Sequence, residues 1–301
     1  MKHNINFLKY FKTFNILSLL IFIISVLLIT FKGLNYGIDF KGGTLLEIKT
    51  DNKNINTSTL RDVLNTINLG DVNVKEFGVE GNYLIKIEKK INKESNSIEQ
   101  IKKSINNKLT EELNYRRVES VGPKVSDELL KSGIISIGLA LLVMLFYIWF
   151  RFEWQFSLGS IIALFHDVII TLGIFSLLSI EINLSIVAAV LTIVGYSMND
   201  TVVIYDRIRE NLFKYNRMNV NEISNLSVNE TLSRTLITSV TTLLALFSIF
   251  FLGGEILKGF SFGMILGVLI GTYSSIYVAS PVLKYLNVTF KTLEKKEEKI
   301  S

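Results

Sequence analysis

The chain has 301 residues, of which 49% are hydrophobic, and a mean hydropathy of +0.39, which is too apolar for an ordinary soluble domain. It still carries 20% charged residues and a net charge of +5, so apolar and charged residues must be segregated. The absence of cysteine excludes disulfides, thiolate metal sites and thiol nucleophiles. The basic excess fits the cytoplasmic side of a membrane protein better than a nucleic-acid partner, which we do not expect.

Six apolar blocks have the length of about 17 to 25 residues that crosses a hydrocarbon core of ~30 Å. The first, residues 14–31, is predicted to be a retained helix, because its run is longer than that of a signal peptide and no Ala-x-Ala site follows. The other five lie within residues 133–283, at 133–150, 158–178, 184–205, 236–252 and 262–280. We therefore expect an α-helical integral membrane protein with six transmembrane helices, the last five forming one bundle in contact with membrane lipid.

The distribution of Lys and Arg predicts the orientation of these helices. An even number of spans places both termini on one side, and the short segments on that side are rich in Lys and Arg. Residues 1–13 and the basic tail 284–301 are therefore predicted to be cytoplasmic. Residues 32–132 then lie outside the cytoplasm, in a segment long enough to escape the charge rule.

The segment 32–132 shows the pattern of a small α+β domain. Strands are predicted at 44–49, 72–77, 83–88 and 116–121, and helices at 57–67 and 97–113. The order β-α-β-β-α-β is that of a ferredoxin-like domain, placed here between the first and second transmembrane helices. This scaffold accompanies many functions and does not by itself indicate one.

Four polar residues interrupt the apolar blocks: His166 and Asp167 in the third, and Asn199 and Asp200 in the fourth. An Asp at the bilayer centre costs about 2.5 to 3.5 kcal/mol, so such residues usually face the bundle interior and mark ion or proton pathways. Asp200 is either such a group or a carboxylate solvated near the cytoplasm. His166 and Asp167 either take part in ion passage or are satisfied by neighbouring helices. Two histidines in the chain give weak support for a metal site, and none is expected.

The fifth block is preceded by Ser227 and Glu230, which have capping-box spacing and predict a helix start there. Arg234 then falls in the second turn of that helix. Its guanidinium is always charged, so it either extends to the inner membrane surface or faces Asp200 as a counter-charge.

Small residues recur every four positions near the last block and leave one helix face with little side-chain bulk. They are Gly259, Gly263, Gly267, Gly271, Ser275 and Ala279. Such stripes allow close helix packing in membranes. We expect a structural packing surface whose partner helix belongs to this chain or to another.

Glycines also mark the start of the α+β segment. Gly42 and Gly43 are predicted to form a tight bend there. Asp39 either caps this turn or contacts a partner.

Five segments resemble signature motifs of one family. They are residues 195–211, 37–44, 121–123, 164–167 and 232–239. The five segments occur in the same order as in the SecF family of protein-export membrane proteins and are spread over nearly the whole chain. This family is related to the resistance-nodulation-division (RND) transporters. Ser126 departs from the pattern, since family members commonly have Gly there.

The resemblance implies a subunit that pairs with SecD in the bacterial inner membrane. It implies that the subunit acts with SecYEG and SecA on the translocating unfolded preprotein, and that the proton-motive force drives this action. Asp200 and Arg234 match the family residues linked to proton passage, and Asn199, Asp167 and His166 are carried with them as relay candidates. Asp39, Gly42, Gly43, Gly122 and Pro123 match motifs expected to act in interaction or as a hinge.

Two alternatives remain open: an RND-type exporter of small molecules or lipids, and a passive scaffold that stabilises SecD. The sequence shows no nucleotide-binding motif and no hydrolase constellation, so we expect neither an enzyme nor a cofactor. The coupling ion, H⁺ or Na⁺, is open as well.

Overall fold

The computed structural model describes residues 5–52, 54–67, 71–88, 98–109, 113–215, 217–290 and 292–293. The predicted basic tail beyond residue 293, residues 1–4 and the predicted helix start at residue 97 therefore lie outside the described residues. The chain divides into two compact units. The helical unit comprises Met1–Asn35 and Ile134–Ser301, and the sheet unit comprises Tyr36–Gly133.

The elements are numbered in chain order. They are α1 (Leu8–Leu27), which continues in a π-helical turn (Leu28–Lys32), β1 (Asn35–Tyr36), α2 (Ile38–Lys41), β2 (Gly43–Lys49), α3 (Thr57–Thr66), β3 (Asp71–Glu76), β4 (Asn82–Glu88), α4 (Ile98–Leu109), β5 (Asn114–Val121), α5 (Pro123–Arg151), α6 (Trp154–Leu178), β6 (Glu181–Ile182), α7 (Leu184–Lys214), α8 (Val220–Leu252), α9 (Glu255–Ser274), a second π-helical turn (Ser275–Ala279) and α10 (Ser280–Tyr285).

Within the described residues, six helical segments are long and apolar enough to cross a membrane, as the sequence predicts. They are Leu8–Lys32, Pro123–Arg151, Trp154–Leu178, Leu184–Lys214, Val220–Leu252 and Leu257–Tyr285. The first begins at Leu8, before the predicted residue 14. Phe7 and Phe11 at this end are buried, and both rings contact Tyr277 edge-on, so packing extends the helix beyond the apolar run.

The predicted start of α8 is wrong. The helix begins at Val220, where the Asn219 side chain accepts from Glu222 N and the Glu222 side chain accepts from Asn219 N. Asn is as good an N-cap as Ser, so this earlier capping box starts the helix. Ser227 is a buried residue inside α8, and its Oγ accepts a 3.0 Å hydrogen bond from Asn211 Nδ2.

The small residues of α9 pack against α7 of the same chain. Successive glycines approach α7 side chains in parallel order: Gly259 with Ile186, Gly263 with Ala189, Gly267 with Ile193 and Gly271 with Ser197. A Cβ at Gly267 would lie 2.2 Å from Ile193 Cγ1, closer than real Cβ contacts allow. Further along, Ser275 and Thr201 hydroxyls are 2.9 Å apart, and Tyr205 donates to the Ala279 carbonyl at 2.9 Å.

The sheet unit contains one antiparallel sheet with the strand order β3-β4-β2-β5. The elements follow the expected order β-α-β-β-α-β, with bounds near those predicted. Alternate strand residues point to one face, where they pack on the two helices. The fully buried residues are Leu46, Ile48 and Ile85 on the strands and Leu60, Leu64 and Ile105 on the helices. Asn56 caps α3 by accepting from Thr59 N.

Candidate functional site in the helical unit

Asp167 lies at the centre of a buried polar cluster. Its side chain is 0% exposed, and its two oxygens make three hydrogen bonds. Oδ1 lies 2.9 Å from His166 Nδ1, and Oδ2 accepts from Ser197 Oγ at 2.6 Å and from Ser274 Oγ at 2.8 Å. The carboxyl group therefore joins α6 to α7 and α9, and its lone pairs are well used.

His166 extends this cluster to the first helix. Its Nε2 lies 2.5 Å from Ser18 Oγ on α1. The imidazole is stacked between the rings of Phe22 and Tyr273, with centroids 6.4 Å and 6.5 Å away. Both ring nitrogens thus have partners within the chain, as a buried histidine requires.

Asp200 is the second buried aspartate, and its carboxylate makes far fewer hydrogen bonds than that of Asp167. Its relative exposure is 3%, and its Oδ2 accepts one long hydrogen bond of 3.4 Å from Thr272 Oγ1 on α9. Thr272 Oγ1 lies 2.8 Å from Ser239 Oγ on α8. This short chain of hydroxyls connects α7, α9 and α8 at the level of Asp200.

Arg234 on α8 is the predicted counter-charge of Asp200. Among the described residues, no ion pair within 4.0 Å joins the two side chains. Arg234 instead lines an open cavity of about 470 Å³, together with Asp206, Arg207 and five further residues. The structure therefore places Arg234 at an open cavity, whereas Asp200 is buried and does not line that cavity.

Asn199 does not join either cluster. It precedes Asp200 on α7, but its side chain is exposed. Adjacent residues on a helix point about 100° apart, and here Asp200 faces the interior while Asn199 faces outward. The structure thus joins two of the five predicted relay candidates, His166 and Asp167, in one cluster, places Asp200 in a second, and leaves Arg234 and Asn199 outside both.

Charged residues form an ionic cluster at the C-terminal end of α7. Arg207 donates to Glu230 Oε2 on α8 at 2.7 Å and to Glu210 Oε2 at 2.5 Å. Arg151 at the end of α5 pairs with Asp206 at 3.0 Å. These ion pairs tie the ends of α5, α7 and α8 together around the cavity.

Several site residues were missed by sequence reasoning. Glu153 is one: its side chain is 4% exposed and lies 3.7 Å from Arg209 Nε. Ser18, Ser197 and Ser274 are the others that matter here. Their only signal in the sequence is a hydroxyl within an apolar run, which is common in membrane helices because Ser also bonds to its own backbone.

The bend before β2 is built by glycine. Gly42 has φ 78° and Gly43 has φ 136°, conformations in which residues with a Cβ are strained. A Cβ at Gly43 would also lie 2.6 Å from the Ile87 carbonyl oxygen. Asp39 lies in the first turn of the four-residue helix α2 before this bend.

The other end of the sheet unit is held at the start of α5. Pro123 is the first residue of this helix, where its missing N–H costs no hydrogen bond. Ser126 is buried, and its Oγ lies 3.1 Å from the Gly122 carbonyl oxygen and 3.4 Å from that of Ile38. The Ser at this position therefore has partners that a Gly would lack.

Among the described residues, no group of three or more His, Asp or Glu side chains is arranged to hold a metal ion.

Comparison with known proteins identifies the family. The model described as protein export membrane protein SecD/SecF, C-terminal, matches residues 100–289, and that of the SecD/SecF GG motif matches residues 27–53. The protein translocase subunit SecF of Rickettsia rickettsii is 43% identical over 285 residues, which cover 94% of this chain and 92% of that protein. SecF of Cereibacter sphaeroides is 44% identical over 268 residues, covering 85% and 81% of the two chains.

A solved structure gives the same answer. The crystal structure of SecDF, a translocon-associated membrane protein from Thermus thermophilus, superposes with a TM-score of 0.83 and 34% sequence identity. The match covers 94% of this chain, which spans 38% of the SecDF chain. With its six membrane-spanning helices, the chain belongs to the SecF family of protein translocase subunits.

Proposed function

We propose that this chain works with SecD to promote protein translocation through SecYEG and SecA at the expense of the proton-motive force, with Asp200 as the proton-carrying group. One observation carries the proposal. Asp200 is buried, yet a single 3.4 Å hydrogen bond is its only side-chain bond among the described residues. Such a carboxyl group gains or loses a proton without disrupting a large network.

Arg234 is the second residue of the proposed mechanism, as the counter-charge of Asp200. Protonation neutralises Asp200 and removes its attraction to the guanidinium on α8. The balance between two packings of α7 and α8 then shifts, and this movement is transmitted to the sheet unit. Moving one charge across 100 mV is worth about 2.3 kcal/mol. This is less than the ~5.5 kcal/mol that reverses a 1:99 equilibrium, so one proton biases the movement without completing it.

The orientation follows from the charge distribution. Both termini and the ionic cluster at the end of α7 lie on the cytoplasmic side of the bacterial inner membrane, and the ferredoxin-like sheet unit lies outside. The cavity of about 470 Å³ then gives water access from the cytoplasm as far as Arg234, which lines it. The bends at Gly42–Gly43 and Gly122–Pro123 are hinges for the sheet unit, and Asp39 is a contact to a partner.

The test is reconstitution of the chain with SecD, SecYEG and SecA in vesicles, with pH and Na⁺ gradients imposed separately. We expect a pH gradient to stimulate translocation with the unaltered chain and not with Asp200→Asn, although this variant still assembles. Asp62→Asn is the control, because Asp62 is an exposed aspartate on α3 and does not line the cavity beside Arg234. Stimulation that survives in Asp200→Asn would refute the assignment of Asp200.

The same experiment separates the two other functions. A passive scaffold would support translocation equally well in the unaltered chain and in the Asp200→Asn variant, and without any gradient. An exporter of small molecules or lipids would leave translocation unaffected when the chain is omitted. Its deletion would instead raise accumulation of an exported compound in cells.

A further inference from the structure

The two buried aspartates of the helical unit differ in how fully their oxygens are used. Asp167 makes three hydrogen bonds, and the two that it accepts from Ser197 and Ser274 are short, at 2.6 and 2.8 Å. Asp200 accepts one side-chain bond of 3.4 Å. Hydrogen bonds to an ionised acceptor are about twice as strong as neutral ones when they are short and well aligned.

The donors to Asp167 come from the helices that hold Asp200. Ser197 lies one helical turn before Asp200 on α7, and Ser274 lies two residues after Thr272 on α9. Oδ2 of Asp167 therefore connects the same two helices that the weak bond between Asp200 and Thr272 connects. At this level the backbones are as close as they can be, because a Cβ at Gly271 would lie 2.9 Å from Ser197 Cβ.

Adding a proton to Asp167 would change the hydrogen bonds of this connection. A protonated carboxyl group becomes a donor at one oxygen, so one of its three partners would have to become an acceptor, as His166 Nδ1 does in its other tautomer. Protonation of Asp200 disturbs only the long bond from Thr272. The hydrogen-bond inventory thus separates a group suited to hold the helices from a group suited to exchange a proton.

We infer that Asp167 is a positioning residue that fixes α7 against α9 at the level of Asp200, and that it carries no proton during the cycle. This inference rests on the proposed role of Asp200. His166 belongs to the same device, because it orients the Asp167 carboxylate through Nδ1 and connects it to Ser18 on α1 through Nε2. One acid and one imidazole thereby hold four helices in fixed register.

The decisive variant is Asp167→Asn, tested in the reconstituted translocase beside Asp200→Asn. An Asn oxygen accepts from both serines and its amide group faces His166, so the connection persists while the capacity to carry a proton is lost. We expect Asp167→Asn to keep more than about half of the gradient-stimulated translocation, by the same hydrogen-bond inventory. Asp167→Ala removes the connection and should lose most of the gradient-stimulated translocation.

A second variant pair covers the case in which Asp167→Asn fails to assemble. Ser274→Ala removes one donor and should lower translocation, and Ser274→Thr, which retains a hydroxyl, should restore it. Infrared difference spectra between acidic and alkaline pH give an independent measure. The carboxyl band that responds to pH should disappear in Asp200→Asn and remain unchanged in the Ser274 variants.

The outcomes distinguish this inference from the proposed function. If Asp200→Asn retains full stimulation, the proposed function fails. If Asp200→Asn loses stimulation and an assembled Asp167→Asn loses it equally, Asp167 carries a proton and the positioning role is refuted alone. The role is also refuted if Ser274→Ala shifts or removes the carboxyl band, or if Ser274→Thr fails to restore what Ser274→Ala loses.

Discussion

The six membrane-spanning helices fall into two classes by burial. In the inner helices, Trp154–Leu178, Leu184–Lys214 and Leu257–Tyr285, between 50% and 61% of the most apolar stretch is buried within the chain. In the outer helices, Leu8–Lys32, Pro123–Arg151 and Val220–Leu252, the buried share is 11% to 17%. The mean hydropathy of this stretch is 2.1 to 2.7 in the outer helices and 1.6 to 2.3 in the inner ones. Apolar character therefore serves two purposes: inner helices pack on one another, and outer helices present apolar side chains to lipid.

The polar residues follow this division with some exceptions. Asp167, Asp200, His166 and the serines that bond to Asp167 all belong to inner helices, where protein groups can satisfy them. The exceptions include Ser18 and Ser239, which contact His166 and Thr272 from outer helices, and Arg234 on α8. The cost of a substitution should therefore depend on the class of helix and on such crossings between helices, more than on the residue type.

The largest effect on translocation is expected for substitutions of Arg234, on an outer helix, and of Asp200, on an inner helix. Arg234→Asp and Asp200→Arg should each abolish gradient-stimulated translocation, because each leaves two like charges facing each other in the membrane. The double variant restores opposite charges and should recover more activity than either single change. The measurement is translocation into vesicles under an imposed pH gradient, with assembly confirmed for all three variants; absence of any recovery would count against direct coupling.

The same chemical change should have unequal effects on the two classes of helix. Leu164 on α6 is 1% exposed, whereas Leu142 on α5 is 52% exposed. Leu164→Ala should lower the free energy of unfolding by about 2 to 5 kcal/mol, since it leaves a cavity. Leu142→Ala should change it by about 0.5 kcal/mol or less. Denaturation of the purified protein in mixed micelles measures both, and similar values would abolish the distinction between inner and outer helices.

The next effect concerns the contact between α7 and α9. Gly267→Leu should lower the free energy of unfolding by about 1 to 3 kcal/mol, because Ile193 already occupies the space beside Gly267. Gly138→Leu on α5 is the control, since a Cβ there meets nothing within 4 Å. The same micelle denaturation applies. A neutral Gly267→Leu would mean that α7 and α9 separate at little cost.

The sequence predicts the framework well because each element carries its own signal. Six apolar runs predict six spanning helices, and the alternating pattern predicts the four strands. The polar clusters are harder to predict, because a hydroxyl such as Ser274 finds Asp167 more than a hundred residues away in the chain. That pairing depends on how each helix is rotated. The prediction of the start of α8 was wrong for another reason. Two capping boxes compete, and the burial of Ile223 and Val228 favours the earlier capping box.

The smallest effect on stability is expected for the contact between Ser18 on α1 and His166 on α6. Ser18→Ala removes the hydroxyl that faces His166 Nε2 and should lower the free energy of unfolding by about 1 kcal/mol. Ser248→Ala on α8 is the control, because its hydroxyl is exposed and bonds only to the carbonyl of Leu244 in its own helix, among the described residues. A larger loss for Ser18→Ala than for Ser248→Ala shows that an outer helix is held by a polar contact. Equal values would mean that the contact between Ser18 and His166 contributes nothing measurable to holding α1.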